Sequence, residues 1–367
     1  MGQLTEHILK NHTDFIEGKI NYLPFNSLGQ FTEWLPGIMR GDVTCITGTP
    51  ASSKTSLSKF LLEHSAIPWA IKQKKNIKIL RFGLEESKDQ YLYSLLSYRA
   101  WKDHGLQYNI KDFLSIGRSI DRQDIPKLEI SEKKVDLMMN YIDYIDHIYS
   151  SIGIWQYVRK FAFNRGKFYR GTTLLTAEID LKEGWTSYVP DDPDEFIVVV
   201  VDNLSFISPV GDEGTGDKGT WMAIWNTVEY LRKFAANKLN YSIVFLQHQD
   251  STSENQESRK NQTILPTENG LGKNKEVGRS YLNLIGVANP NKINSSGAEP
   301  VIRIWDNHDL TKFKNYLRTI NILKSRFGES NVHHSVLFTG RTGWFNPLPS
   351  VTTDDYSKVL TSLNNYK

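Results

Sequence analysis

Four short stretches carry residue types that could do chemistry together. Residues 43 to 55, V-T-C-I-T-G-T-P-A-S-S-K-T, end in Lys54 and Thr55. R-F-G-L-E-E-S puts Glu85 just past one apolar run, V-V-V-V-D puts Asp202 at the end of a second, and L-Q-H-Q puts Gln247 and His248 at the end of a third. An ammonium suits the β and γ oxygens of a nucleotide, and a hydroxyl with a carboxylate suits Mg²⁺. A second carboxylate can polarise water, and a polar strand tip can sense a γ-phosphate. Together these groups spell phosphoryl transfer.

The elements that must position them are legible in the same stretches. Val43 to Thr47 reads as a buried strand, and Gly48, Thr49, Pro50, Ala51, Ser52 and Ser53 form a turn that delivers Lys54 and Thr55 to a helix start. That order is a P-loop, in which backbone N–H groups and a helix N-terminus cradle phosphate. One position departs from G-x-x-x-x-G-K-[ST]: Ser53 stands where the second glycine belongs, and its Cβ is expected to crowd the phosphate. Leu57, Phe60 and Leu61 at helical spacing and a strand Ile77 to Phe82 complete a βαβ unit, with Glu85 beyond the strand's C-terminal edge. Phe196 to Val201 predicts a central parallel strand buried on both faces, with Asp202 at its tip.

Elsewhere the pattern is helical from Tyr91 to Met139, continues so through Tyr141 to Ile148, and suggests an inserted hairpin before Asp194. A face of Trp221, Ile224, Val228, Leu231 and Ala235 leads into the strand Ser242 to Leu246. Further strands are expected at 281–287, 301–305, 316–324 and 335–338, with a turn at 341–343. Residues 23–42 read as a lid or access loop, 250–279 as a polar loop, and the tail after Pro349 as frayed.

The 367 residues suffice for one large α/β domain, and 39% hydrophobic content suffices for its core. A net charge of +3 from 44 basic and 41 acidic residues excludes a global polyelectrolyte partner, so any nucleic-acid surface is local. With Cys45 alone, a disulfide framework or cysteine zinc site within the chain is excluded. No apolar run approaches the ~20 residues that span a bilayer, and the N-terminus lacks a signal-peptide core. The expected compartment is the cytoplasm.

The ordered set P-loop, L-E-E-S, V-V-V-V-D-N, L-Q-H-Q, G-R-S-Y-L-N-L, I-L-K-S-R-F-G and G-W-F resembles the helicase domain of DnaB-like hexameric replicative helicases and of phage primase-helicases. The resemblance runs from about residue 23 to 347. It implies a RecA-like P-loop NTPase with a mostly parallel central sheet flanked by helices, over residues 23–349, with an enlarged segment at about 98–195. A short N-terminal helical arm (1–22) and a C-terminal tail (350–367) flank it. The cofactors implied are ATP and Mg²⁺. Lys54 would hold the β and γ phosphates, Thr55 and Asp202 the metal, and Glu85 the attacking water, with His248 or Gln247 sensing phosphate. Arg326 would be the arginine finger for a neighbouring subunit, with Lys324 beside it and Arg279 supporting that interface. Arg259, Lys260, Lys273 and Lys275, in the loop after the third strand tip, would track single-stranded DNA. The activity implied is ATP-driven 5′-to-3′ translocation on single-stranded DNA in phage-type replication, by a homo-oligomeric ring, a hexamer, with a primase or polymerase as partner and no membrane.

Other readings of the same residues stay open. Glu85 and Glu86 fit solvated acids at a helix start, Asp202 and His248 fit hydrogen-bonded strand ends, Arg326 and Lys324 a solvated strand end, and the basic loop a surface loop interspersed with Glu254, Glu257, Glu268 and Glu276. At the level of function the alternatives are a RecA-type recombination ATPase, which would form filaments, and a degenerate P-loop scaffold, which Ser53 would suit.

Overall fold

The computed structural model describes residues 2–17, 19, 22–26, 28–250, 264–272, 274–294, 303–326 and 328–363. Nine strands form its central sheet: β1 (Val43–Gly48), β2 (Ile77–Gly83), β3 (Ile142–Ile145), β4 (Phe196–Asp202), β5 (Ser242–His248), β6 (Asn283–Ala288), β7 (Leu317–Lys324), β8 (Val332–Thr339) and β9 (Trp344–Pro347). Their order across the sheet is β9-β8-β7-β6-β1-β5-β4-β2-β3. From β3 to β6 all neighbours are parallel, and β7, β8 and β9 add antiparallel pairs at one edge. The sheet is therefore mostly parallel, as the sequence implies.

Helices on both faces explain the continuous apolar strands. Val198 and Val200 enter one core with Ile46, Ile79, Val244 and Leu246, under the helices Lys54–Leu61 and Lys88–His104. Val199 and Val201 enter the opposite core with Cys45, Leu80, Phe82 and Phe245, under the helices Ser151–Phe163 and Gly216–Tyr230. Successive strand residues point to opposite faces, so a strand buried on both must be apolar throughout. Each such side chain contributes roughly 1.5–3 kcal/mol relative to an exposed one.

Three expectations are corrected. Residues 141–148 do not continue a helix: Ile142–Ile145 is the edge strand β3, pairing with β2 and burying Ile142 and Ile145. The apolar spacing there fits either period, and the open edge of β2 takes it as a strand. Gly166–Arg170, Thr173–Leu175 and Ser187–Pro190 form a separate three-stranded antiparallel sheet that realises the expected hairpin and sends Phe168 and Leu175 into the second core. Residues 23–42 are no lid, because Tyr22–Pro24 pairs with Gly37–Met39 and drives Leu23, Leu28 and Phe31 into the core. The tail is not frayed up to Leu363: the helix Asp354–Leu363 lays Tyr356, Val359, Leu360 and Leu363 on a cluster with Trp305, Leu310 and Phe313.

The N-terminal arm is the helix Gln3–Ile16, with Leu4, Ile8, Leu9 and Ile16 exposed. Among the described residues no helix is long and apolar enough to cross a membrane.

Candidate nucleotide site

β1 ends at Gly48, where a Cβ would meet the Val287 carbonyl oxygen at 2.3 Å and the Ser52 hydroxyl at 2.4 Å, so only glycine fits this close approach. The turn that follows takes Ala51 and Ser53 through left-handed backbone, at φ 58° and 82°. For Ser53 this is the conformation that the glycine of the motif would adopt freely. The departure noted in the sequence is accommodated by a partner: Arg318, at the start of β7, donates from Nε to the Ser53 hydroxyl at 3.0 Å. Its NH1 bonds the Asn315 and Leu317 carbonyls, and its guanidinium lies over the Phe338 ring. Lys292 reaches the same turn through the Pro50 carbonyl.

Lys54 opens the helix and is nearly buried, its Nζ bonding the Thr49 carbonyl at 3.1 Å and His248 Nδ1 at 3.0 Å. Burial lowers its pKa to about 8, opposed by the Asp202 and Glu85 carboxylates. A phosphate in the cradle would supply the counter-charge that neutral acceptors do not. Thr55 follows and donates to Asp202 Oδ1 at 3.1 Å. Burial raises the Asp202 carboxyl to about 6, against the Arg81 and Lys59 charges that lower it.

β2 and β4 run in parallel register with Gly83 opposite Asp202, and the Leu84 N–H bonds the Asp202 carbonyl at 2.6 Å. Ser87 and Gln90 form a reciprocal cap that fixes where the next helix begins. Glu85 and Glu86 are thereby held in the short link at the strand tip. Both line a cavity of about 730 Å³ with Thr55 and Asp202, but Glu86 pairs with Lys59 at 2.6 Å whereas Glu85 is exposed.

Do these groups fit a magnesium nucleotide? Ser52 Oγ is buried in the turn with no hydrogen-bond partner, an orphan that a phosphate oxygen would satisfy. Thr55 and Asp202 offer hard oxygens, and Mg²⁺ takes one or two protein oxygens while sharing its shell with phosphate and water. Among the described residues no larger group of metal-ligating side chains gathers. The residues present fit the group.

The strand tip of β5 divides its work by alternation. His248 faces Lys54, whereas Gln247 turns away, donating to the Gly272 and Asn274 carbonyls and accepting from the Tyr281 hydroxyl. Gln249, which sequence reading passed over, bonds Thr47 and both backbone groups of Thr267. The chain that returns after residue 263 is thus tied to the tip that touches Lys54. Arg259, Lys260 and Lys273 lie outside the described residues, and Lys275 is exposed.

Lys324, Arg326 and Arg279 gather elsewhere. β7 runs antiparallel to β6, so Arg318 is at the P-loop end of the sheet and Lys324 near the start of β1. Lys324 bonds the Gly278 carbonyl, and exposed Arg279 pairs with Glu276. Burial raises the Asp42 carboxyl, and the exposed Arg326 opposes that rise from nearby. From Asp42 to Gly48 is six residues of strand, about 20 Å at ~3.3 Å each.

Sequence reading also missed Arg81 and Glu63. Arg81 is 1% exposed and shares the inward face of β2 with Ile77 and Ile79. A charged residue at an inward position of an apolar strand was the available signal.

This strand order, with a turn of P-loop sequence after β1 and carboxylates at or just beyond the tips of β2 and β4, is that of a RecA-like fold. Among solved structures that share the fold are two DnaB-like proteins. The ATPase domain of a DnaB-like helicase superposes with a TM-score of 0.63 at 15% identity, covering 95% of this chain and 100% of that one. A DnaB-like replicative helicase, described with its interactions with primase, superposes with a TM-score of 0.62 at 15% identity, covering 93% of this chain and 68% of that one. At such identity the likeness speaks to the fold. Neither a protein-family model nor a curated protein sequence matches the chain.

Proposed function

We propose that the protein is an ATP-dependent, DnaB-like helicase or translocase that acts on single-stranded DNA as a ring, hexameric by its resemblance to that family. Residues 23–349 are the ATPase domain, 1–22 an arm and 350–367 a tail. The observation that carries this reading is that Lys324, two residues before Arg326, lies level with the start of β1, whereas Lys54 follows the turn at its far end; from Asp42 to Gly48 the strand itself spans about 20 Å. A guanidinium at the end of the sheet away from its own P-loop supports a role at a neighbour's phosphates in a head-to-tail ring.

Within the site Lys54 binds phosphate, Thr55 and Asp202 would hold Mg²⁺, and Glu85 orients water and receives its proton. Bound Mg²⁺ would neutralise charge on the β and γ oxygens. His248 senses the γ-phosphate through its contact with Lys54, and Gln247 and Gln249 pass the change to the loop that carries Lys275. A primase or polymerase partner, a phage origin, a host-cytoplasmic location and 5′-to-3′ travel follow from the resemblance.

The test is ATP turnover with and without single-stranded DNA, alongside electron microscopy. Closed rings with DNA-stimulated turnover are expected. Filaments would favour the recombination ATPase, and absence of turnover the scaffold.

A further inference from the structure

A chain of buried polar groups runs behind Asp202. Arg81 donates from Nε to Glu63 at 2.6 Å, from NH2 to Ser58 Oγ at 3.0 Å, and from NH1 to Asp202 Oδ2 at 3.3 Å. Tyr91 donates to the same Glu63 oxygen at 2.9 Å and lays its ring beside the guanidinium. Glu63 is fully buried in the stretch Leu62–Ala66, where the helix from the P-loop widens to hydrogen bonds spanning five residues. That widening turns Glu63, His64 and Ser65 all inward.

We infer that Arg81 is a positioning residue for the metal site, fixing the Asp202 carboxylate against Thr55. This rests on the nucleotide site proposed above. Asp202 has one oxygen on the Thr55 hydroxyl and the other on Arg81, so both ends of the carboxylate are fixed and its plane is set. Arg81 is itself held from three sides, and its shorter contact is to Glu63. Glu63 therefore takes most of the guanidinium's charge, and Asp202 keeps enough of its own to attract a divalent cation. A guanidinium can do this because its planar fork reaches two carboxylates and a hydroxyl at once, which an ammonium on a flexible stem cannot.

A purely structural ion pair between Arg81 and Glu63 makes a different prediction, and the double variant Arg81→Met/Glu63→Leu separates the two. Replacing a buried pair by apolar residues is often neutral for stability, so this variant is expected to melt close to the parent. Free Mn²⁺, followed by electron paramagnetic resonance in the presence of ADP, reports metal affinity without turnover. Removing a partner that orients a ligand costs roughly tenfold or more in metal affinity, and the Mg²⁺ concentration for half-maximal ATPase should rise by a similar factor. Turnover at saturating Mg²⁺ should fall far less. Arg81→Lys, which keeps a charge for Glu63, should show a smaller shift in the same direction and serves if the double variant does not fold. Mn²⁺ affinity equal to the parent's in the folded variant overturns the inference. A parent that binds Mn²⁺ with ADP but never turns over ATP would instead sink the helicase reading and leave Arg81 in place.

Discussion

Arg318 Nε lies 3.0 Å from the hydroxyl of Ser53, joining the start of an antiparallel strand to the one turn position where the P-loop motif lacks its glycine. Burial, with no acidic group to oppose it, lowers the Arg318 pKa to about 10. The serine thus has a partner worth roughly 1.5–3 kcal/mol, as hydrogen bonds to charged groups are. Against this stands the left-handed backbone, which costs a residue with a Cβ about 1–2 kcal/mol.

Ser53→Ala and Ser53→Gly both delete the bond, but only alanine keeps the Cβ in that backbone. Thermal melting should place Ser53→Ala below Ser53→Gly by about 1 kcal/mol. Ser53→Gly is expected to stay near the parent in stability and to retain nucleotide binding. A glycine variant less stable than the alanine one would mean that the turn is not strained at this residue.

Lys54→Ala should abolish nucleotide binding, because the ammonium that opens the helix at the cradle is lost. Glu85→Gln should bind ATP as the parent does and hydrolyse it at least ~100-fold more slowly, within the ~10²–10⁴-fold range of general-base contributions. Binding by fluorescence of a labelled nucleotide and turnover by phosphate release separate these effects. Undiminished turnover in Glu85→Gln would transfer the role elsewhere; Glu86, paired to Lys59 at 2.6 Å, is poorly placed to take it.

These residues show what the sequence could carry. Lys54, Thr55, Glu85, Asp202 and His248 were legible because each ends an apolar run or opens a helix, and a parallel sheet brings such ends to one edge. Arg318 and Arg81 were not read, although each falls in register with inward isoleucines, Ile320 and Ile322 for one and Ile77 and Ile79 for the other. Which side chain partners a buried arginine depends on residues outside its own strand: Glu63 lies 18 residues from Arg81 and Ser53 lies 265 from Arg318. The strand Ile142–Ile145 was misread because four residues with two outward positions show no decisive period.

Acid should unfold the protein partly through His64. Burial, reinforced by the Lys59 and Arg99 charges, holds its pKa well below the ordinary 6.5, and its ring stacks on Tyr98 with centroids 3.4 Å apart. The unfolded chain takes up the proton first as pH falls, so this stability is present above 6.5 and is lost below it. The loss approaches ~1.4 kcal/mol per pH unit. His64→Phe keeps a ring against Tyr98 and removes the titration. Its melting temperature should fall less than the parent's between about pH 7 and about pH 5. Parallel curves would exclude His64 as a source of acid sensitivity.

Arg326→Ala should assemble and bind ATP yet fail to hydrolyse it, since fingers of this kind contribute roughly 10³–10⁵ in rate. Mixed with Lys54→Ala, it should regain turnover: an interface that joins an intact P-loop to an intact finger can form only in the mixture. No rescue, with mixed rings demonstrated by differently tagged subunits, would remove Arg326 from the neighbour's site.

Gln247 and Gln249 flank His248 and hold Thr267, Gly272 and Asn274 by side-chain bonds, so a shift of Lys54 toward phosphate has a direct route to the segment that carries Lys275. Phosphate contacts are independent of sequence and weaken with salt, each on a single strand adding about 0.7 to the slope of log affinity against log salt. Lys273→Ala/Lys275→Ala should therefore weaken single-strand binding, lower that slope by ~1.4 for two contacts to a single strand, and remove DNA stimulation of turnover. Basal hydrolysis should survive, because the nucleotide chemistry is assigned to Lys54, Thr55, Glu85 and Asp202. A double variant with the parent's affinity and salt slope would place the DNA on another surface, and the link from His248 through the glutamines would then serve only to order the loop.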